Sequence, residues 1–297
     1  MNRPLVTVVM NCYNGEAFLR RAIESVLAQT WKNWEIVFWD NRSTDTSAEI
    51  LKSYEDSRIR YYYAPTHTFL YEARNYAIEK ANGELLAFLD VDDWWFTDKL
   101  ERQVQKFEDP DVAVVCSNFW IENEIKNKKW VMYNAPLPQG RVLDSLLRDY
   151  QVGLLTLMLR RSALPSDTPP FNPRYHIIGD FDLVIRLAAA HKVASVDSPL
   201  AAYRIHGKNE TSMRRMMHAE ELENWMNEMR NDSKISASPS FNLVLTKILY
   251  ILALDTLLSG KKCDAFKHIK RMAWGMHKLR ASLAFLLPTI FIKKLKN

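Results

Sequence analysis

Three carboxylates, Asp90, Asp92 and Asp93, fall within four residues at the end of an apolar run, and Trp94 and Trp95 follow at once in GELLAFLDVDDWW. Carboxylates this close raise one another's pKa unless something positive sits between them. A hard divalent cation does this, because it takes oxygen ligands and commonly bridges carboxylates to substrate phosphates. A single acid here would read as a helix cap or a solvated turn. A cluster directly behind a buried strand reads as a site for a cation and a phosphorylated ligand. Further polar groups close other apolar runs: Asn11 and Tyr13 after VTVVM, and Asp40 after EIVFW. Two more acids, Asp180 and Asp182, stand in GDFDLVIRLA. Asp182 suits the positive first turn of the helix that follows, a structural use.

The elements that must position these residues alternate. Strands are expected at residues 5–10, 34–39, 59–63 and 85–89. Helices are expected at about 19–27, from 43–46 to 54, and at 71–81, where Asn82-Gly83 is a stop signal. Such alternation means a mainly parallel sheet covered by helices on both faces. Ligands then bind beyond the carboxyl ends of the strands, where Asn11, Asp40 and Asp90 fall. Later strands are expected at 112–116, 154–159, 193–196 and 201–205. Helices are expected at 142–148 and 181–190, an irregular aromatic hairpin at 118–140, and a loop through the four prolines of 165–173. From residue 212 onward the pattern is helical, with a break at 236–240.

The chain has 297 residues, 47% apolar and 25% charged, an ordinary globular composition. Its three cysteines, Cys12, Cys116 and Cys263, are odd in number and far apart, so no disulfide framework or metal knuckle is expected. The short first apolar run lacks the form of a signal peptide, and a cytoplasmic protein is expected. Charge is uneven. Residues 261–297 hold ten Lys or Arg and one acid, a net of +9, so the rest of the chain sums to −4 within a total of +5. A basic tail on a mildly acidic body points to an anionic partner surface. No nucleic-acid-reading module accompanies the charge, so nucleic acid is not the expected partner. Residues 241–258 are interrupted by Lys247 and Asp255, and residues 281–292 contain Pro288. Neither should cross a bilayer, which needs about 20 largely apolar residues. Two readings stay open for residues 261–297: helices packed on a core, or a segment lying on an anionic membrane surface.

Four motifs in order resemble the inverting glycosyltransferases of family 2 and their GT-A fold. They are VTVVMNCYNGEAFLRRAIESVLAQTWKNWEIVFWDNRSTDTS, ARNYAIEKANGELLAFLDVDDWW, GDFDLVIRLA and YRIHGKNETS. The resemblance implies an α/β GT-A nucleotide-diphospho-sugar transferase fold. Its sheet is Rossmann-like, mixed and mainly parallel, and a helical extension follows at the C-terminus. It further implies a catalytic domain over 1–210, with a donor half at about 1–107 and an acceptor half at 108–210, followed by a basic helical region at 211–297. By the same resemblance Asn11 and Tyr13 would line the nucleoside pocket, and Asp40 would accept a hydrogen bond from the base. Arg74 would lie near the diphosphate and Asp90 near the ribose and metal. Asp92 and His206 would hold Mn²⁺ or Mg²⁺, and Asp180 would be the catalytic base. Trp94 and Trp95 are acceptor candidates, with one expected buried and one facing the cleft. The implied partners are a nucleotide-sugar donor, with a UDP-sugar expected, and a saccharide or lipid-linked saccharide acceptor. The work would be done in the cytoplasm, peripheral to the inner membrane face.

The chain departs from the family pattern twice. Gly179-Asp180 stands where the family usually has Glu-Asp. Asp40-Asn41-Arg42-Ser43 stands where it often has Asp-Asp-Gly-Ser, so a loop glycine is absent. Two other readings compete. A nucleotidyltransferase would carry a glycine-rich basic loop after strand one, but NCYNGEAFLRRA has one glycine. A non-catalytic scaffold of the same fold would not need Asp90, Asp92, Asp180 and His206.

Overall fold

The computed structural model describes residues 3–207, 209 and 215–287. The first compact unit comprises Met1–Val142 and Gln151–Gly207. It opens with β1 (Val6–Cys12), α1 (Leu19–Leu27), β2 (Trp34–Asp40), α2 (Ser47–Lys52), β3 (Ile59–Tyr63), α3 (Leu70–Glu79) and β4 (Leu85–Phe88). It continues through β5 (Trp94–Trp95), α4 (Lys99–Val104), β6 (Val112–Asn123) and β7 (Lys128–Val131). After α5 (Leu143–Arg148), which belongs to the second unit, come β8 (Met158–Arg160), α6 (Gly179–Ala190) and β9 (Lys192–Ile205).

All nine strands form one sheet, in the order β3–β2–β1–β4–β8–β6–β9–β5, with β7 paired to β6. The β3–β2–β1–β4 half is parallel, as the alternation predicts. The other half is mixed: β8 runs antiparallel to both β4 and β6, while β6 and β9 are parallel. In the parallel half Asn11 lies opposite Trp39, and Cys12 opposite Asp40, so these pairs share faces. Leu19, Ala22, Ile23 and Val26 of α1 are all buried and pack with the face of Val6, Val8 and Met10. The three-four spacing of α1 is therefore its buried stripe.

Several elements differ from the sequence expectation. The strands expected at 193–196 and 201–205 are one strand, β9. It passes through Pro199 because the β6–β9 register shifts there, between Ser117 and Phe119, and irregularities of this kind accommodate a residue that cannot donate to the ladder. The segment 154–159 is a 3₁₀ turn at Leu154–Thr156 followed by the short β8. Trp94 and Trp95 form a strand of their own, opposite Ala202 and Ala201. Gly83 is needed for a reason other than helix termination. A Cβ there would lie 2.6 Å from the Thr7 nitrogen and 2.7 Å from the Leu5 oxygen, both backbone atoms that cannot give way. Glycine thus sets the close approach of β4 to β1.

Beneath the tryptophans Lys99 is fully buried. Its Nζ donates to Gln103 Oε1 at 2.6 Å and lies 4.0 Å from the Trp95 ring centroid. Burial pushes its pKa well below the ordinary lysine value. Between that lowered value and the unfolded value of about 10.4, folding expels a proton, so stability should rise with pH across this window. Denaturant titrations at pH 7 and pH 9 should show this gain in the wild type and lose most of it in Lys99→Met. An equal gain in both would locate the effect elsewhere.

The second unit comprises Leu143–Tyr150 and Lys208–Asn297. It holds α5, α7 (Arg215–Met229), α8 (Ser233–Ser236), α9 (Leu243–Leu258), α10 (Lys262–Arg271) and α11 (Met276–Leu286). Its first helix thus lies well ahead of the boundary expected near residue 210, a position outside the described residues, as are 211–214 and 288–297. Helix α9 buries Val244, Ile248, Leu249, Ala253 and Leu257. Asp144 of α5 accepts from Ser238 Oγ and Ser240 N–H, each at 2.8 Å, and Lys247 Nζ donates to the Leu147 carbonyl at 3.2 Å. These bonds draw α5 to the C-terminal helices. No helix among the described residues is long and apolar enough to cross a membrane.

Candidate active site

The acids after β4 serve three different ends. Asp93 is buried, and its Oδ1 accepts the backbone N–H of Arg204 in β9 at 3.0 Å. Burial, with Asp92 and Asp90 nearby, pushes its carboxyl well above the usual range. Asp93 is an anchor between the acidic turn and β9. Arg204 Nε also donates to the Asp92 carbonyl at 2.9 Å, and its guanidinium bonds Glu124. Position 204 therefore holds the turn from the far strand. The signal for it in the sequence is its place two residues before His206 in YRIH.

Asp92 and His206 meet. His206 Nε2 lies 3.1 Å from Asp92 Oδ2, and the imidazole lies against Phe18 with ring centroids 4.7 Å apart. Burial and the neighbouring Asp90 push the Asp92 carboxyl upward, against the opposing effect of His206. An ionised Asp92 in this position favours a counter-cation. A carboxylate oxygen beside an imidazole nitrogen is a donor pair that Mn²⁺ or Mg²⁺ accepts. Among the described residues no group of three His, Cys, Asp or Glu side chains makes a ready cage. The pair fits a cation whose remaining positions are filled by ligand phosphate and water, the usual habit of Mg²⁺.

Asp90 is partly exposed and pairs with Arg74 of α3 at 2.5 Å. Arg74 is itself buried, 2% exposed, so its charge is spent on Asp90. A direct contact to a diphosphate would require it to leave that partner. Beside it, Asn75 clamps Phe171 by two bonds, from Nδ2 to the carbonyl at 2.7 Å and from the Phe171 N–H to Oδ1 at 3.0 Å. Phe171 lies within the proline-rich loop and stacks on Tyr71 at 5.1 Å. The Arg74 guanidinium lies 5.0 Å from the Tyr71 ring centroid.

Tyr71 carries this arrangement to the second acidic motif. Its hydroxyl donates to Asp180 Oδ1 at 2.9 Å, and Asp180 lies in the first turn of α6. The tyrosine is buried, and burial plus the Asp180 charge push its phenol well above the ordinary value. It therefore stays a proton donor at any working pH. A Cβ on Gly179 would lie 2.6 Å from the Tyr71 ring. The missing family glutamate is thus matched by a ring packed on bare backbone. Asp182 is buried and paired with Arg186 at 2.8 Å, a structural use.

Just past the end of β1, Tyr13 is 55% exposed, with its ring 4.4 Å from that of His67. His67 Nδ1 lies 2.8 Å from the Asn41 carbonyl. Asn11 is buried, yet neither its Oδ1 nor its Nδ2 has a protein partner. A buried amide in this state costs about 1–3 kcal/mol, a debt that a bound polar ligand or water can relieve. Asp40 is different. It is fully buried, with Oδ1 accepting the Ser43 N–H at 2.7 Å and Oδ2 accepting the Tyr61 hydroxyl at 2.9 Å. It has no surface to offer a base and instead fixes the turn after β2. In that turn Arg42 adopts φ +74°, the left-handed conformation usually left to glycine, and its guanidinium sits 4.9 Å from the Tyr63 ring centroid. The absent glycine is therefore a strained arginine in the same kind of turn.

The two tryptophans do not divide as expected, because both are buried. Trp95 Nε1 donates to the Leu155 carbonyl at 2.7 Å. Trp94 lies 3.2 Å from the Arg21 guanidinium and 5.0 Å from that of Arg204. Neither presents a face for a sugar ring. The short β5 draws both inward.

Comparison with known proteins establishes the family and the fold. Residues 7–164 match the sequence profile described as Glycosyl transferase family 2, and the chain belongs to that family. Among relatives is the Escherichia coli UDP-Glc:alpha-D-GlcNAc-diphosphoundecaprenol beta-1,3-glucosyltransferase WfgD, 33% identical over 171 residues, which are 58% of this chain and 66% of that protein. Matches to such curated relatives span 63 to 66% of their length. The fold is GT-A. Staphylococcus aureus TarS in complex with UDP-GlcNAc superposes with a TM-score of 0.65 at 14% identity, covering 94% of this chain and 83% of that one. The mannosyltransferase PcManGT from Pyrobaculum calidifontis, in complex with GDP-Man and Mn²⁺, gives 0.65 at 18% identity, covering 100% and 85%.

Proposed function

We propose that the chain is a metal-dependent inverting glycosyltransferase. It moves a sugar from a nucleotide-sugar, a UDP-sugar by preference, to a hydroxyl of a saccharide acceptor. The observation that carries this reading is one continuous chain of contacts, Asp90–Arg74–Tyr71–Asp180. It ties the acid of the cation cluster to a second acid at the start of α6. Separate sites for leaving group and nucleophile are what a displacement between donor and acceptor requires.

In this reading the Asp92–His206 pair would hold a divalent cation, which would supply Lewis-acid neutralisation of the charge on the departing diphosphate. Asp180 takes the proton of the acceptor hydroxyl. The freed oxygen pair forms the new bond to the anomeric carbon from the face opposite the leaving group. The old carbon–oxygen bond breaks, and its electron pair leaves with the diphosphate. The anomeric centre inverts. Asn11 and Tyr13 supply an amide and an aromatic face to the nucleoside. The UDP-sugar and lipid-linked acceptor of WfgD suggest the donor base and an acceptor of that class, in assembly of a bacterial surface polysaccharide or lipopolysaccharide. We place the work in the cytoplasm, at the inner membrane face.

Thermal unfolding with UDP, GDP, dTDP and CMP, each with and without Mn²⁺, tests the donor site. UDP with Mn²⁺ should stabilise the wild type, by about 2.7 kcal/mol at a hundredfold excess over Kd. Asp92→Asn should lose most of that gain. Stabilisation of the two proteins to the same extent would remove Asp92 from the site.

A further inference from the structure

Helix α11 is inside out. The side chains it buries include Ala281 and Ala284, while Met276, Leu279, Leu283 and Leu286 are 62, 50, 55 and 78% exposed. Their spacing of three, four and three residues sets the four on one face of the helix. Trp274, just before it, is 87% exposed, and Phe266 of α10 is 56% exposed. Packing within this unit gives no reason to turn the leucines outward and the alanines inward. An outward apolar stripe with an aromatic at its edge is the form of a surface that meets another apolar phase.

Charge decides which phase. Lys267, Lys270 and Arg271 of α10 and Arg280 of α11 are exposed, Lys267 beside Asp264 at 2.9 Å, and residues 261–297 as a whole carry +9. A second copy of this face would bring like charges together. An anionic bilayer meets both needs: its acyl boundary takes the leucines, and its headgroups take the cations. Lys278 fits as well, with Nζ donating to the Met272 carbonyl at 2.9 Å and lying 5.1 Å from the Trp274 ring centroid, so that an aromatic and a cation share one edge. At eleven residues α11 is about 16 Å long, enough to lie in an interface and far too short to span.

We infer that the face of α11 formed by Met276, Leu279, Leu283 and Leu286, with Trp274, docks in the plane of an anionic lipid bilayer. The inference is independent of the transfer chemistry. It is tested with the full chain by co-sedimentation with vesicles of phosphatidylcholine alone and of phosphatidylcholine with 30% phosphatidylglycerol, an amount on the order used to mimic anionic membranes. Binding should appear with the anionic vesicles and weaken as salt rises. Leu279→Glu with Leu283→Glu should reduce the partition coefficient about tenfold or more, the scale of one or two leucines returned to water. Trp274→Ala, at a position too exposed to matter for folding, should weaken binding several-fold. Circular dichroism of each variant checks that the helices persist. Absence of binding to anionic vesicles would overturn the inference. So would equal binding of the Leu279/Leu283 variant, or a lipid-free dimer that the same substitutions dissolve.

Discussion

Restoring the family's glutamate by Gly179→Glu is expected to damage this protein. The new Cβ would enter the Tyr71 ring at 2.6 Å, and the ring is held on its other sides by Phe171 and Arg74. Forcing the ring aside costs about 1–3 kcal/mol of overpacking and breaks its bond to Asp180. Gly179→Ala isolates the steric part. Alanine at a helical position ordinarily gains about 0.5–1 kcal/mol over glycine, so a lower melting temperature would point to the ring. In a Tyr71→Ser background, itself destabilised by the cavity it leaves, the space is open, so adding Gly179→Ala should cost nothing further there. Tyr71→Phe keeps the ring and removes only the hydroxyl. It should leave nucleotide binding unchanged and slow turnover about tenfold, the scale of one bond to a charged group. If Gly179→Ala raised stability and left turnover intact, Tyr71 would have no positioning role.

The second large effect is expected from Asp180→Asn. The amide keeps the shape of the side chain and its oxygen can still accept from Tyr71, so folding should be spared. What is lost is the ability to take a proton. Turnover should fall about 10²–10⁴-fold, the usual scale of a removed general base. Stabilisation by UDP and Mn²⁺ should persist, because that depends on the Asp92 cluster. Loss of both together would mean that Asp180 supports the donor site, and near-normal turnover would assign the base elsewhere.

Much of the site was legible because it sits where a short-range pattern meets a topological rule. Apolar strands alternating with amphipathic helices require a parallel sheet, and the polar residues at its strand ends are read directly from the sequence. Asn11, Asp90 and Asp92 stand out as candidates in this way, and Asp180 and His206 through the resemblance of their motifs. What was not legible depends on contacts distant in sequence. Asp40 closes its strand in the pattern of a base contact, but Ser43 and Tyr61 enclose it. Trp94 and Trp95 looked like a ligand wall because nothing local announces a two-residue strand pairing with residues 201 and 202. Tyr71 lies 109 residues before Asp180 and has no motif of its own. Gly179 carried the clue, since a glycine in place of a larger residue leaves room for a neighbour, but the sequence does not say which. In the C-terminal unit the charge asymmetry was plain, whereas the outward stripe of α11 needed the burial of Ala281 and Ala284 to give it a direction.

The central claim is that a sugar leaves a nucleotide diphosphate at the Asp92–His206 cluster under the action of Asp180. Its most direct test is release of UDP from UDP-glucose by the wild type with Mn²⁺, measured beside Asp92→Asn and Asp180→Asn, with GDP-mannose as the second donor and water as the acceptor of last resort. Metal-dependent UDP release that both substitutions suppress, with UDP still bound by Asp180→Asn, is the predicted result. A folded wild type that releases no diphosphate from either donor and is stabilised by neither UDP nor GDP would contradict the account, leaving a GT-A scaffold without transfer chemistry.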